Sequence, residues 1–95
     1  MSTTRVEAYL HSDSVSANKG GALIRVATQT DFASRTPAFQ DFAKRCARLC
    51  YAAQAQTWDD VITLFPDIEE ERLALQASLR ETVQVDHITV VPATA

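Results

Sequence analysis

The sequence predicts an α+β domain in which three helices pack on one face of a three-stranded antiparallel sheet, in the order β-β-α-α-α-β. Three observations carry the prediction. Two stretches near the start alternate or run apolar as strands do, and a β-branched run from Val83 to Val91 closes the chain. Between them, three segments place apolar residues three and four apart. Each of those segments opens on residues that favour a helix start.

Ninety-five residues, 46% of them apolar and 22% charged, suit one small globular domain spanning residues 1–95. The net charge of −3 and the scatter of the nine Lys and Arg residues exclude the basic stripe that a nucleic-acid surface needs. No segment approaches the roughly 20 apolar residues of a membrane helix. Met1-Ser2-Thr3-Thr4-Arg5 has no apolar run behind it, so the expected compartment is the cytoplasm, with no membrane partner.

Arg5 to His11 sets Val6, Ala8 and Leu10 against Arg5, Glu7, Tyr9 and His11, the period of a half-buried strand. Ser12 to Gly21 is polar and reads as a loop, with Asn18-Lys19-Gly20-Gly21 tolerant of positive φ. Ala22 to Thr28 is the second strand, with Ala22, Ile24 and Val26 on one face and Leu23, Arg25 and Ala27 on the other. Gln29 to Arg35 is a short connection. Thr36 then reads as an N-cap with Pro37 at the first helical position. The stripe Phe39, Phe42, Ala43, Cys46, Leu49, Cys50 and Ala53 follows.

Thr57 and Asp60 form a capping-box-like pair before a second, shorter helix. Its stripe is Trp58, Val61, Ile62 and Phe65, and Pro66 ends it. A third helix is expected to start at Asp67 as N-cap, with Glu69 to Glu71 at the positive end of its dipole. Ile68, Leu75 and Leu79 share its inner face, leaving Leu73 and Ala77 on nearly the opposite one. The phase of alternation in the last strand flips near Asp86-His87, the mark of a β-bulge or of burial on both faces. Pro92 to Ala95 reads as a frayed end.

Chemistry-bearing patterns are scarce. Cys46 and Cys50 lie one turn apart on the core stripe and read as small buried hydrophobes. Neither His11 nor His87 has zinc-ligand spacing to them, so no metal and no cofactor is expected. No nucleophile, acid and base set converges in sequence, so the chain does not read as an enzyme, and Glu69-Glu70-Glu71 reads as a solvated helix start. That leaves the connection. Phe is among the residues most often buried, so Phe32 taken alone reads as core. The sharper reading is a protruding Asp31-Phe32 pair that docks in a partner's pocket, since aromatic anchors flanked by polar groups are typical of interface hot spots.

The run Ala22 to Phe32, ending Gln29-Thr30-Asp31-Phe32-Ala33-Ser34-Arg35, resembles the elongation factor Ts family. That family follows an apolar strand with Thr-Asp-Phe-Val-Ala and a basic residue. Glu69-Glu70-Glu71-Arg72-Leu73-Ala74-Leu75 is similar to its acidic-Arg-apolar helix. Leu79-Arg80-Glu81-Thr82-Val83-Gln84-Val85 is similar to its Ile-Gly-Glu-Asn-Ile segment, with Arg80 in place of the glycine. Tyr9 and His11 fit its first strand. The resemblance covers Val6 to Val91 and corresponds to a single core subdomain without the family's N-terminal helical module. It implies a guanine-nucleotide exchange factor for elongation factor Tu in its GDP-bound or nucleotide-free form. Asp31 would be the polar contact and Phe32 the wedge, with Gln29 and Thr30 shaping the loop. It also implies a homodimer, through the sheet or through the Leu73/Ala77 face. A module that keeps the fold but has lost exchange activity is the alternative.

Overall fold

A computed structural model describes residues 3–15 and 17–92. Of the expected frayed end, Pro92 to Ala95, residues 93–95 lie outside the described residues, as do residues 1, 2 and 16. The order is β1 (Thr3–His11), β2 (Gly20–Thr28), α1 (Asp31–Ser34), α2 (Pro37–Ala53), α3 (Trp58–Leu64), α4 (Pro66–Leu79) and β3 (Gln84–Val91). The strands form one antiparallel sheet in the order β1-β2-β3, so β2 is central. The expected α+β architecture is present, with one addition. The connection after β2 contains a helical turn of its own.

The central strand sets the layers. Ala22, Ile24 and Val26 are buried against Phe39, Phe42, Ala43, Cys46, Ala47 and Cys50 of α2. Val61 of α3 and Ile68 and Leu75 of α4, with Ala55 and Val83 from the connections, complete that core. The α2 helix begins as its residues dictate: the Thr36 hydroxyl accepts from the Phe39 amide at 3.3 Å, and Pro37 occupies the first turn. Both cysteines are free and buried. Burial pushes the Cys46 thiol far above its ordinary range and raises Cys50 to about 11. They are core hydrophobes, as their spacing predicted.

Four details differ from the sequence expectations, each for a physical reason. Strand β2 begins at Gly20, so the loop is shorter than Ser12 to Gly21, and its positive φ falls on Asn18. Gly21 is a glycine for space: a Cβ there would sit 2.3 Å from the Tyr9 carbonyl oxygen of the paired strand.

Strand β1 alternates as expected but with the aliphatic face outward. Val6 and Leu10 are exposed, while Tyr9 and His11 turn toward α2. There the Tyr51 ring stacks on His11 at a centroid separation of 4.8 Å and lies 5.6 Å from Tyr9. The Tyr9 hydroxyl meets His11 Nδ1 at 2.9 Å. Rings with polar tips close the open edge of the core because they bury their bodies and keep their tips wet.

Helix α4 starts at Pro66, not after an Asp67 cap. Phe65 is the cap residue and offers no side-chain bond, so Asp67 falls inside the first turn. Proline's fixed φ suits that first position and ends α3 at the same step. The fourth difference is the turn α1 itself.

Elsewhere the sequence pattern holds. The Thr57–Asp60 capping box is complete. The β3 phase flip is a bulge: Arg25 pairs with His87 and Val26 with Val85, so Asp86 is the extra residue. Its carboxylate takes Arg25 Nε at 2.8 Å. The bulge lets Val85, Ile88 and Val90 all reach the core.

No described helix is long and apolar enough to cross a membrane. Opposite the helices, the outer sheet face exposes Leu10, Leu23, Arg25 and Val91, while Ala27 at its far end is buried. Leu10, Gly21 and Val91 form one row across it and Ala8, Leu23 and Thr89 the next.

Candidate functional site

Strand β2 delivers the chain to α1 across two residues, and the local sequence makes a turn there. Thr30 is extended (φ −127°, ψ 152°), and its hydroxyl accepts from the Ala33 amide at 3.3 Å, a standard N-cap. Asp31 sits at the positive end of the turn, where a carboxylate is favoured. The buried Thr28 hydroxyl donates to the Thr30 carbonyl at 2.9 Å, and the buried Ser34 hydroxyl donates to the Asp31 carbonyl at 2.8 Å. The turn then tightens, with the Arg35 amide bonding the Phe32 carbonyl at 3.2 Å and the Thr36 amide the Ala33 carbonyl at 3.3 Å. At that point α2 begins. No glycine is needed, and no residue of the turn has a positive φ.

This geometry divides the turn into two faces. Ala33 and Ser34 are buried and fasten it to the domain. Asp31 and Phe32 stand outside. Phe32 is 80% exposed, the most exposed aromatic among the described residues. The core reading of Phe32 is therefore overturned. The Asp31 carboxylate meets Arg35 Nη2 at 2.7 Å, an exposed pair, so it is oriented but open to an incoming group. The four residues singled out from the sequence, Gln29, Thr30, Asp31 and Phe32, thus lie on one continuous turn. Two of them support it and two protrude.

The residue that sequence reasoning missed is Glu81. It follows the C-cap of α4, more than 50 residues away, and its carboxylate closes over the entry to the turn. Oε1 accepts the Gln29 amide at 3.0 Å and the Thr30 amide at 2.9 Å, while the Thr30 hydroxyl donates to Oε2. The Gln29 side-chain oxygen in turn accepts from the Thr82 amide at 3.2 Å. The Thr30 hydroxyl outweighs the opposing effect of burial and, with the two amides, holds the Glu81 carboxyl below the usual carboxylate range. A pairing over that separation leaves no periodic signal. The only hint was that Glu81 falls within one of the stretches quoted above.

Glu81 is itself well anchored. Arg80 caps α4 in the left-handed region (φ 59°), and the Glu81 amide bonds the Gln76 carbonyl at 3.3 Å. Gln76 Oε1 accepts the Val83 amide at 2.9 Å, and Arg72 Nη1 donates to the Val83 carbonyl at 2.8 Å. Arg72 also pairs with Glu69, whose carboxyl that contact pulls below its usual range. Glu69 accepts from Trp58 Nε1 at 3.2 Å as well. The acidic run 69–71 is therefore structural in part: Glu69 braces α4, and Glu71 pairs with Arg45 at 2.8 Å. Beside the turn, Gln29, Leu73, Gln76, Ala77, Arg80 and Thr82 line an open depression. The second apolar face of α4 thus adjoins the entry to the turn at Gln29. Among the described residues, no three His, Cys, Asp or Glu side chains converge as metal ligands.

The chain is 31% identical over 75 residues to elongation factor Ts of Francisella tularensis subsp. novicida (strain U112). That stretch is 75% of this chain and 26% of the relative. The same figures hold for elongation factor Ts from the mediasiatica strain FSC147 and the holarctica strain OSU18. No family model matches the chain. The chain is thus distantly similar to a translation elongation factor over most of its own length, and spans about a quarter of the length of the curated relatives it matches.

Proposed function

We propose that the chain binds elongation factor Tu and promotes GDP release by inserting the Asp31-Phe32 turn into the Tu nucleotide domain. The observation that carries this reading is the exposed Phe32 on a capped turn, in a chain distantly similar to elongation factor Ts. An aromatic held out in water by a fastened turn is an anchor waiting for a pocket. If the pocket opens fully only in nucleotide-free Tu, insertion favours that state by the difference in affinity, and GDP is expelled by linkage. Asp31 supplies the polar contact beside the wedge, and Gln29 and Thr30 set its direction. The protein acts by docking rather than by breaking bonds, and needs no cofactor or metal to do so. Its place of action is the cytoplasm, with neither nucleic acid nor membrane as partner.

Self-association belongs to the same proposal. The outer sheet face carries Val6, Leu10, Leu23 and Val91, all exposed, with the Arg25–Asp86 ion pair among them. A two-fold pairing of this face with a second copy would cover them symmetrically. The Leu73/Ala77 face is the weaker dimer candidate, because it adjoins the turn.

The test is binding of purified elongation factor Tu, nucleotide-free and GDP-loaded, to the immobilised chain. Tighter binding of nucleotide-free Tu is expected, and absence of binding to either form refutes the proposal. A second reading is a dimeric module that keeps the fold without exchange activity. Arg80 in place of the family's glycine favours it, and binding without preference between the two forms would support it.

A further inference from the structure

We infer that Glu81 is a positioning residue that presets the Asp31-Phe32 turn before any partner arrives, acting through Thr30 and the Gln29 amide. The inference rests on the proposed function for its consequence, but its physical content belongs to the free chain.

A one-turn helix is not stable by itself, because nucleation fixes several dihedrals for a single hydrogen bond. Something outside the turn must hold it. Three donors converge on one carboxylate at its entry, two amides and the hydroxyl that caps it. Because the Thr30 hydroxyl gives its proton to Glu81, its oxygen is left facing the Ala33 amide, so the clamp also orients the cap. The carboxylate cannot drift, since its backbone is tied to α4 through Gln76 and the next residues through Arg72. The return bond, donated by the Thr82 amide to the Gln29 side-chain oxygen, makes the link reciprocal. Phe32 and Asp31 are exposed, and the bonds to Glu81 come from Gln29 and Thr30, so Glu81 shapes the presenting element without being the presented group.

Presetting has a measurable consequence. If only a fraction of molecules holds the turn, apparent affinity falls by that fraction. Glu81→Ala removes all three acceptor bonds. Glu81→Gln keeps one oxygen that can still take an amide, so its effect should be smaller. Hydrogen exchange of the Gln29 and Thr30 amides in the free chain is the first readout. Exchange on the order of tenfold faster in Glu81→Ala is expected, with buried α2 amides such as Cys46 unchanged.

Binding to elongation factor Tu is the second readout. A loss of about three- to tenfold is expected for Glu81→Ala and less for Glu81→Gln. That loss should vanish in a Phe32→Ala background, because a preset turn with no wedge has nothing to position. Unchanged exchange at Gln29 and Thr30 overturns the inference. So does faster exchange with unchanged affinity, which would make Glu81 structural only. If the parent chain does not bind Tu at all, the functional reading fails, and the exchange measurement alone decides whether Glu81 presets the turn.

Discussion

Replacing Phe32 by alanine should separate folding from binding. Phe32 is 80% exposed, at the second position of a one-turn helix whose buried anchors are Ala33 and Ser34. Truncation removes almost no internal contact, and alanine is the better helix former, so stability should change by no more than about 0.5 kcal/mol. Binding should change far more. A phenylalanine buries roughly 200 Å² when fully covered. With four-fifths of the residue open, about 160 Å² remains to be taken from water, on the order of 4 kcal/mol as an upper bound. Incomplete burial and the ordering of the side chain reduce that to about 2–3 kcal/mol, or roughly 30- to 150-fold in Kd. Calorimetric titration with nucleotide-free Tu measures the loss, and circular dichroism with thermal melting measures the fold. A variant that unfolds would place Phe32 in the structural core. A variant that folds and binds as the parent does would remove the wedge.

Three further outcomes follow from the structure. Arg80→Gly should stabilise the chain by about 0.5–1 kcal/mol in chemical denaturation, because a left-handed C-cap strains any side chain and glycine relieves it; destabilisation would mean that the Arg80 side chain carries a contact worth more than that strain. Acid should destabilise the fold through Asp60, Glu69 and Glu81, whose carboxyls are all held below their ordinary values of 3.8 to 4.5. Their contribution is full above those values and is lost as pH falls through the lower folded ones, so Tm should hold from about neutral pH to about pH 5 and then fall, whereas a Tm unchanged at about pH 3 would contradict the contacts. Finally, sedimentation equilibrium should give twice the 10.5 kDa chain mass for the parent and the single mass for Leu23→Glu, since a charge at the centre of the outer sheet face would have to be buried in the pair; a monomeric parent at tens of micromolar would refute the dimer.

What the sequence made legible was what local physics controls. The Thr36-Pro37 start, the α2 stripe and the Thr57–Asp60 box are written in neighbouring residues, and each appears where its pattern places it. The bulge at Asp86 is legible for the same reason, as a change of phase within one strand. The inverted face of β1 was not. Period two says that a strand has two faces, and which one meets the helices depends on where the end of α2 delivers Tyr51. The site was half legible. Asp31 and Phe32 stood out as a pair, but Phe32 taken alone read as core, and the turn beneath them rests on Glu81, a contact set by topology and by no repeat in the chain.

The most direct test of the central claim is release of a fluorescent GDP analogue from elongation factor Tu, followed with and without this protein. The account predicts faster release in proportion to the protein added, abolished by Phe32→Ala and weakened by Glu81→Ala. Release at the intrinsic rate, from a Tu preparation that responds to a full-length elongation factor Ts, would contradict it.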